Sequence, residues 1–213
     1  MCYKYKAPAQ QDAEEYFKAE YEQGSLFPDE PVNGFAKPLM PIIIDEMPGR
    51  IIAGEWGLIP FFGKEDPQAF FKKTNTLNAK VETADTLRSF KNYLSNRCLV
   101  IADSFYEWKH VNVAGKLQKL PYKLSVPGGR PFAMAGIYSV INNTPTYTIL
   151  TTEANELMAD IHNSKKRMPV VLCPEEEKLW LNRNETNLEP YHRRTEIELI
   201  ATPLFTDTQQ SLF

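Results

Sequence analysis

Cysteine is scarce in this chain of 213 residues, which contains three: Cys2, Cys98 and Cys173. No two of them stand in C-x-x-C spacing, so the sequence excludes a dense disulfide framework and argues against a cysteine-rich zinc site. We expect no metal ion and no other cofactor. So few cysteines fit a protein of the reducing cytoplasm. Glycine is also sparse, with 10 residues against 16 prolines, which indicates many ordered turns and strand ends.

The chain also lacks long apolar runs and any excess of positive charge. No stretch approaches 18 apolar residues, so we expect no transmembrane helix and no membrane partner. The first ten residues, MCYKYKAPAQ, contain no apolar segment of the kind found in a secretory signal peptide. The formal net charge of −3 offers no bulk electrostatic attraction to nucleic acid.

Basic residues are nevertheless concentrated in three short segments, at 72–80, 88–91 and 165–167. An anionic ligand responds to the local field more than to the net charge, so such segments can form a binding surface. The alternative is that they are ordinary solvated faces, as most charged runs are.

The order of apolar segments predicts one α+β domain over residues 1–205, followed by a tail at 206–213. Its mainly antiparallel β core would form a barrel or sandwiched sheets, with peripheral helices. Strands are predicted at 2–6, 41–45, 50–56, 98–108, 122–126, 131–141, 146–154, 168–172 and 197–204. Helices are predicted at 12–23, 66–71, 88–94, 155–162 and 173–181. We expect hairpins between 41–45 and 50–56 and between 122–126 and 131–141, and a capping box from Asp12 to Glu15.

Cys2 is the residue with the most distinctive chemistry. Removal of Met1 would leave an N-terminal 1,2-aminothiol, whose amine has a pKa near ~8 and is far more nucleophilic at pH 7 than a lysine. The amine can condense with an aldehyde, and the thiol can then close a thiazolidine ring on the same carbon. Alternatively, the thiol could attack an amide as an N-terminal nucleophile. The remaining alternative is that a cysteine follows Met1 by chance and has no chemical role.

Three further residues stand out, each with an ordinary alternative. Glu107 lies between two aromatic residues in an apolar segment. If it is buried there, its pKa would rise into the range that suits general acid–base catalysis. The alternative is an ordinary residue at an exposed strand edge. His162 ends a short predicted helix just before a basic stretch, where nearby carbonyls could satisfy it. Asn78 follows a lysine-rich loop and could be a simple turn residue.

Taken together, five motifs in order resemble the SRAP family of abasic-site processing proteins, named for an SOS response-associated peptidase. They are Met-Cys at the start, WGLIPFF (56–62), NAKVET (78–83), FYEWK (105–109) and IH (161–162) followed by RMP. The resemblance extends over roughly the whole chain. It implies a compact α+β domain with a positively charged channel for single-stranded DNA, and a DNA-directed role in the cytoplasm at the nucleoid.

The resemblance implies a role for each matching residue. Cys2 matches the nucleophile that forms a thiazolidine crosslink with an abasic-site aldehyde and so shields the lesion during replication. Asn78 matches the residue that holds the sugar-derived end of the adduct. Glu107 matches the acid–base glutamate, and His162 the histidine that moves a proton to the deoxyribose.

The resemblance also implies a set of DNA contacts. Lys80 stands where the family often has a phosphate-binding arginine, and Phe61 and Phe62 match aromatics that stack on bases. The family usually opens Met-Cys-Gly-Arg, whereas this chain has Tyr3 and Lys4, so Lys4 keeps a charge without the arginine fork. Further phosphate contacts are expected among Lys165, Lys166 and Arg167.

Two other functions remain open on the sequence alone. One is an N-terminal-nucleophile hydrolase, either a peptidase that removes its own Met1 or a glutamine amidotransferase. The chain has no Asn-Gly-Asp segment of the kind an amidotransferase oxyanion hole needs. The other is a non-catalytic single-stranded DNA-binding module in which Cys2 is incidental.

The tail carries a separate motif, Gln209-Gln210-Ser211-Leu212-Phe213. Its Gln-x-Ser-Leu-Phe pattern resembles the short peptide with which bacterial proteins bind the replication sliding clamp. In that mode Gln209 would form hydrogen bonds while Leu212 and Phe213 fill an apolar pocket. The alternative is that the two apolar residues fold back onto the domain.

Overall fold

Twelve strands and four short helices make up the structure, a computed structural model that describes residues 2–21 and 26–205. The strands are β1 Lys4–Lys6, β2 Val32–Asn33, β3 Leu39–Ile44, β4 Ile52–Trp56, β5 Asn78–Lys80, β6 Arg97–Ala102, β7 Ser104–Val113, β8 Lys116–Ser125, β9 Phe132–Ile141, β10 Thr144–Glu153, β11 Arg167–Pro169 and β12 Ile200–Pro203. The helices are α1 Gln10–Phe17, α2 Pro67–Lys73, α3 Glu156–Ile161 and α4 Pro174–Trp180. The α+β prediction is confirmed.

Five strands close into a barrel in the order β10-β4-β3-β6-β9, with β9 returning to β10. Four of the five pairings are antiparallel, and β10 runs parallel to β4. β10 is longer than the ring requires. Its second half also pairs with β5 in parallel and with β11 in antiparallel fashion. The predicted hairpin between residues 41–45 and 50–56 is confirmed as β3–β4.

A second sheet lies outside the barrel, in the order β12-β8-β7-β1-β2. The single strand predicted at 98–108 is therefore wrong, because the chain changes sheets at Asp103. β6 belongs to the barrel and β7 to the second sheet, and the backbone N–H of Asp103 donates to the Lys6 carbonyl between them. A run of apolar residues shows that a segment is buried but not which sheet each half joins.

The predicted hairpin between 122–126 and 131–141 is also wrong. β8 instead pairs with β7 through a tight turn at Ala114 and Gly115, both with positive φ, while β9 lies in the barrel. That backbone matches the favoured two-residue hairpin turns, whose twist suits the flanking strands. The Pro-Gly-Gly segment after β8 carries the chain from one sheet to the other.

Helix prediction succeeded where a capping side chain was present. The Asp66 and Asn155 side chains accept hydrogen bonds from the first turns of α2 and α3, as expected of N-cap residues. The capping box at Asp12 is wrong: α1 begins earlier, after Ala9, and ends when Lys18 adopts a left-handed backbone. Only a 3₁₀ turn forms within the helix predicted at 88–94. In the described ranges, no helix is long and apolar enough to cross a membrane.

The barrel strands bury both faces, which explains why they read as continuous apolar runs. Side chains such as Val100 join one core cluster with Phe105 of the second sheet. Their neighbours, such as Leu99, join another cluster that contains Trp180 of α4. Gly136 lies where β9 approaches β6 closely: an added Cβ would stand 2.7 Å from Cys98 Sγ and 3.0 Å from a backbone oxygen.

We therefore expect Gly136→Ala to destabilise the fold by about 1–3 kcal/mol, because overpacking forces neighbouring side chains and backbone to shift. Urea unfolding measures the loss. Gly49→Ala is the matched control, since nothing lies within 4 Å of its added Cβ. Equal midpoints for the two variants would contradict the close approach of β9 and β6.

Candidate active site

Cys2 is held where the second sheet meets the barrel. The side-chain amide of Asn78 donates from Nδ2 to the Cys2 carbonyl at 2.8 Å, and Asn78 itself is fixed by the pairing of β5 with β10. The Cys2 thiol donates to the Lys4 carbonyl at 3.7 Å and has 0% exposed surface. The Oδ1 atom of Asn78 is buried without a hydrogen-bond partner among the described residues, so the site retains an unused acceptor.

Aromatic residues fix the floor of this site. The hydroxyls of Tyr5 and Tyr147 share a buried hydrogen bond of 2.7 Å, which ties β1 to β10. The Trp56 ring meets Tyr5 edge-on at 5.0 Å, and its Nε1 donates to the Leu77 carbonyl at 2.9 Å. Tyr5 and Tyr147 were not predicted as site residues, because nothing in their local pattern distinguishes paired tyrosines from ordinary core aromatics.

Glu107 and His162 face each other although they are 55 positions apart in the chain. Glu107 lies in β7 and His162 caps the C-terminus of α3; both side chains are buried, and His162 Nε2 is 3.9 Å from Glu107 Oε2. The other ring nitrogen, Nδ1, is 2.7 Å from the Arg167 carbonyl. A carbonyl can only accept, so Nδ1 carries the proton and the neutral ring presents the Nε2 lone pair to the carboxyl group.

Burial sets the protonation of these groups. It raises the pKa of the Glu107 carboxyl to about 7 and lowers the pKa of the His162 imidazole to about 4. His162 is therefore neutral at pH 7, and the 3.9 Å contact is not a full ion pair there. Burial also raises the pKa of the Cys2 thiol well above its ordinary value, so the sulfur stays protonated. The pair can exchange a proton with a bound group near neutral pH.

The basic residues predicted to contact DNA differ in how exposed their side chains are. Lys80, Lys165 and Lys166 are exposed, whereas Lys4 is half-buried with its ammonium group 5.5 Å from the centre of the Tyr106 ring. Exposed ammonium groups, at the end of β5 and in the loop before β11, can reach a phosphate chain. The sequence alone does not show which of these lysines are free to bind a phosphate, whereas their exposure in the structure does.

The Arg167 side chain is already engaged in hydrogen bonds within the protein. Its guanidinium donates to both carboxylate oxygens of Glu82 at 2.6 and 2.7 Å, and to the Thr151 carbonyl at 2.6 Å. Only 11% of its side chain is exposed. The bidentate pair joins β11 to the segment after β5, and so holds the Arg167 carbonyl against His162. Glu82, a member of the NAKVET motif, thereby has a structural role that the sequence did not reveal.

Phe61 and Phe62 lie on the surface, with 69% and 44% of their area exposed. Lys64 stands 4.0 Å from the centre of the Phe61 ring, and Arg88 stands 4.2 Å from that of Phe62. Rings beside cations can stack on bases while the charges meet phosphates. Phe62 also packs edge-on against the buried Phe70, with ring centres 5.8 Å apart, so both rings are exposed but Phe62 is anchored.

A second aromatic surface, absent from the sequence prediction, adjoins Cys2. Tyr3 packs against Phe35 with ring centres 4.8 Å apart, and Phe35 is exposed. Lys37 lies over the Phe71 ring at 3.1 Å. A lone phenylalanine in a loop carries no signal of exposure, which is why Phe35 was not predicted. Across residues 2–21 and 26–205, no group of three or more His, Cys, Asp or Glu side chains could hold a metal ion.

Comparison with known proteins identifies the class. A family model described as SOS response associated peptidase (SRAP) matches residues 1–204. The chain therefore belongs to the SRAP family, and the resemblance drawn from its five motifs is confirmed.

Individual relatives sharpen this assignment. The chain is 39% identical over 166 residues to a Bacillus subtilis protein named abasic site processing protein YoqW, a match that covers 72% of this chain and 70% of YoqW. It is 31% identical to abasic site processing protein HMCES of Xenopus tropicalis, across 64% of this chain and 46% of the frog protein. A crystal structure of a Bacteroides thetaiotaomicron protein superposes with a TM-score of 0.82 at 30% identity, covering 98% of this chain and 94% of that one.

The raised pKa of Glu107 makes stability depend on pH. Its pKa is about 7 in the fold against 4.5 for a free glutamate, so the stabilisation of its protonated form is lost as pH rises through 7. Glu107→Gln, which cannot ionise, should gain on the wild type by about 1–3 kcal/mol between pH 5 and pH 8. Urea unfolding at both pH values measures this, with the exposed Glu65→Gln as control. Parallel changes in Glu107→Gln and the wild type would contradict the assignment.

Proposed function

We propose that this chain recognises abasic sites in single-stranded DNA and joins them covalently through Cys2 once Met1 has been removed. The observation that carries the proposal is that four distant segments meet at one buried junction: Asn78 holds Cys2, and His162 faces Glu107. Burial raises the pKa of the Cys2 thiol and the nearby Glu107 raises it further, which joins the two pairs. Membership of the SRAP family and relatives named abasic site processing proteins support the same reading.

The proposed chemistry balances without any cofactor. The α-amine of Cys2 attacks the aldehyde carbon of the opened sugar, and loss of one water gives an iminium group. The Cys2 sulfur then adds to the same carbon and gives up its proton, which closes the thiazolidine. The overall change is aldehyde plus aminothiol to thiazolidine plus water, with no oxidation. The proposal requires removal of Met1, which frees the α-amine of Cys2. Because Cys2 has no exposed surface, the site also has to open before the aldehyde can reach it.

Glu107 and His162 carry the protons in this scheme. A carboxyl with a pKa of about 7 is present in both forms at neutral pH, so it can protonate the departing hydroxyl and later accept the thiol proton. His162, neutral and protonated on Nδ1, accepts the proton of the deoxyribose hydroxyl on Nε2 as the sugar ring opens, and returns that proton to the ring oxygen that the opening releases. Asn78 keeps the Cys2 backbone in place through its carbonyl and offers its Oδ1 acceptor to the adduct.

The DNA strand is proposed to run over the exposed cations and rings. Lys80, Lys165 and Lys166 would meet phosphates, while Phe61 and Phe62 stack on bases. Lys4, half-buried beside Cys2, would neutralise the phosphate next to the lesion. Arg167 is not included, because Glu82 already occupies its guanidinium.

A second candidate activity is hydrolysis of the Met1–Cys2 bond by the protein itself. The peptidase description of the family model favours it, and the same buried acid–base pair could activate a water. Intact mass of the purified chain, compared with that of Glu107→Gln, tests this: Met1 retained only in the variant would support self-processing.

Cys2→Ala should abolish the stable crosslink while leaving an imine that borohydride traps, because the α-amine remains. A denaturing gel after incubation with abasic single-stranded DNA measures both products, and Cys98→Ala, a buried cysteine elsewhere in the core, is the control. An undiminished stable crosslink in Cys2→Ala would refute the thiazolidine.

The proposed DNA path predicts a difference among the basic residues. Lys80→Ala and a Lys165/Lys166 double alanine variant should each reduce the slope of log K against log salt, by about 0.7 for every phosphate that the variant no longer neutralises. Exposed Lys116→Ala, at the far end of the β7–β8 hairpin, is the control and should leave the slope unchanged. Identical slopes for all of these proteins would show that the lysines belong to a solvated face.

The segment Gln209–Phe213 lies outside the described residues, and we propose it as a sliding-clamp-binding peptide. Recruitment would concentrate the protein at replication forks on the nucleoid, in the cytoplasm, without tighter DNA binding. Calorimetric titration with a bacterial clamp should show micromolar binding by the intact chain and none after removal of residues 209–213 or in Leu212→Ala/Phe213→Ala. Equal affinities would end the proposal.

A further inference from the structure

Asn163 follows His162 directly and makes an unusual pair of hydrogen bonds. Its Oδ1 accepts from the backbone N–H of His110 at 3.0 Å, and its Nδ2 donates to the carbonyl of the same residue at 2.8 Å. A side-chain amide that meets both backbone groups of one residue reproduces the pairing that a neighbouring strand would supply. Asn163 therefore acts as a one-residue extension of the second sheet.

This pairing uses an edge of β7 that no described strand covers. β8 pairs with β7 along one side, from Phe105 to Val113. On the other side β1 reaches only Ser104 and Phe105. His110 lies beyond the end of β1, so Asn163 fills a gap in the sheet five residues further along. Nothing in the local sequence marks Asn163 for this role.

The consequence concerns the neighbour of Asn163. Glu107 is three residues before His110 on β7, and His162 is one residue before Asn163. The amide thus joins the two backbones that carry the acid–base pair. Because α3 has six residues, it is too short to hold its own geometry without tertiary contacts.

A second link between α3 and β7 is weaker. Lys109 Nζ lies 2.7 Å from Asp160 Oδ1, but the aspartate is 64% exposed, and exposed ion pairs contribute little. Of these two links, the Asn163 amide is the one that is both directional and partly shielded from water.

We propose that Asn163 is a positioning residue: by pairing with the main chain of His110, it sets the separation between the His162 ring and the Glu107 carboxyl. Its effect on crosslinking rests on the proposed function, whereas its effect on the ring can be measured without DNA.

The first test is nitrogen NMR of the His162 ring as pH is varied. The ionisable groups that act on the ring are Glu107 and His110 of β7, the N-terminal amine, and Lys165 of the following loop. In the wild type we expect an Nδ1–H tautomer that titrates near pH 4. Asn163→Ala should show mixed tautomers and a midpoint nearer 6.5, while exposed Ser164→Ala, the control, matches the wild type. A wild-type ring signature in Asn163→Ala would overturn the proposal.

The second test is the rate of crosslinking to abasic single-stranded DNA. Asn163→Ala should lose about 10- to 100-fold in rate with unchanged affinity for undamaged strands, because misplacement by about 1 Å costs that much. Asn163→Gln, which keeps the amide, should recover part of the rate. Asn163→Asp, which has the same shape but no Nδ2–H donor, should not, and it replaces Asn163→Ala if that variant fails to fold. Ser164→Ala should stay within about two-fold.

The outcomes are separable. Unchanged rates in both Asn163→Ala and Asn163→Asp would overturn the proposal, as would a rate loss accompanied by an equal loss of affinity. If the wild type forms no crosslink, the proposed function fails, and the ring signature of His162 alone then decides the positioning role.

Discussion

The pairing of β10 with four other strands is the constraint on which the rest of the structure depends. Its first half closes the barrel through β9 and β4. Its second half, beyond the ring, holds β5 on one edge and β11 on the other. β5 carries Asn78, which fixes the Cys2 backbone, and β11 begins with Arg167, whose carbonyl fixes the His162 tautomer. One strand therefore closes the barrel and also positions the two strands that hold Cys2 and His162.

The site is built at a cost in stability. A carboxyl group and an imidazole are buried face to face in conditions that favour the neutral form of each, and the Asn78 acceptor is left unsatisfied among the described residues. Beside that acceptor, the hydroxyls of Tyr5 and Tyr147 satisfy each other in a buried hydrogen bond of 2.7 Å. A carboxyl and an imidazole with shifted pKa values that face each other are typical of functional sites.

Local signals in the sequence predicted local structure well. The helix starts predicted near residues 66 and 155 are confirmed, because capping chemistry is contained within a few residues. Strand pairing was harder to predict, because the pattern of apolar residues along a strand does not show which strand lies next to it. The predicted partner of β8 was therefore wrong. The four candidate site residues were predicted through motif resemblance. The structure places Asn78 against Cys2 and His162 against Glu107, and their chemical roles stay predictions. The engagement of Arg167 with Glu82 was not predictable, because it joins residues 85 positions apart.

The buried, protonated thiol of Cys2 has a consequence for the lifetime of the protein in a cell. Peroxides and small metabolic aldehydes react with exposed thiolates, and oxidation of a nucleophilic cysteine beyond the sulfenic acid is largely irreversible. A sulfur with no exposed surface and a strongly raised pKa presents neither access nor thiolate to these reagents. Enclosure of this kind protects the Cys2 sulfur from oxidation for as long as the site stays closed.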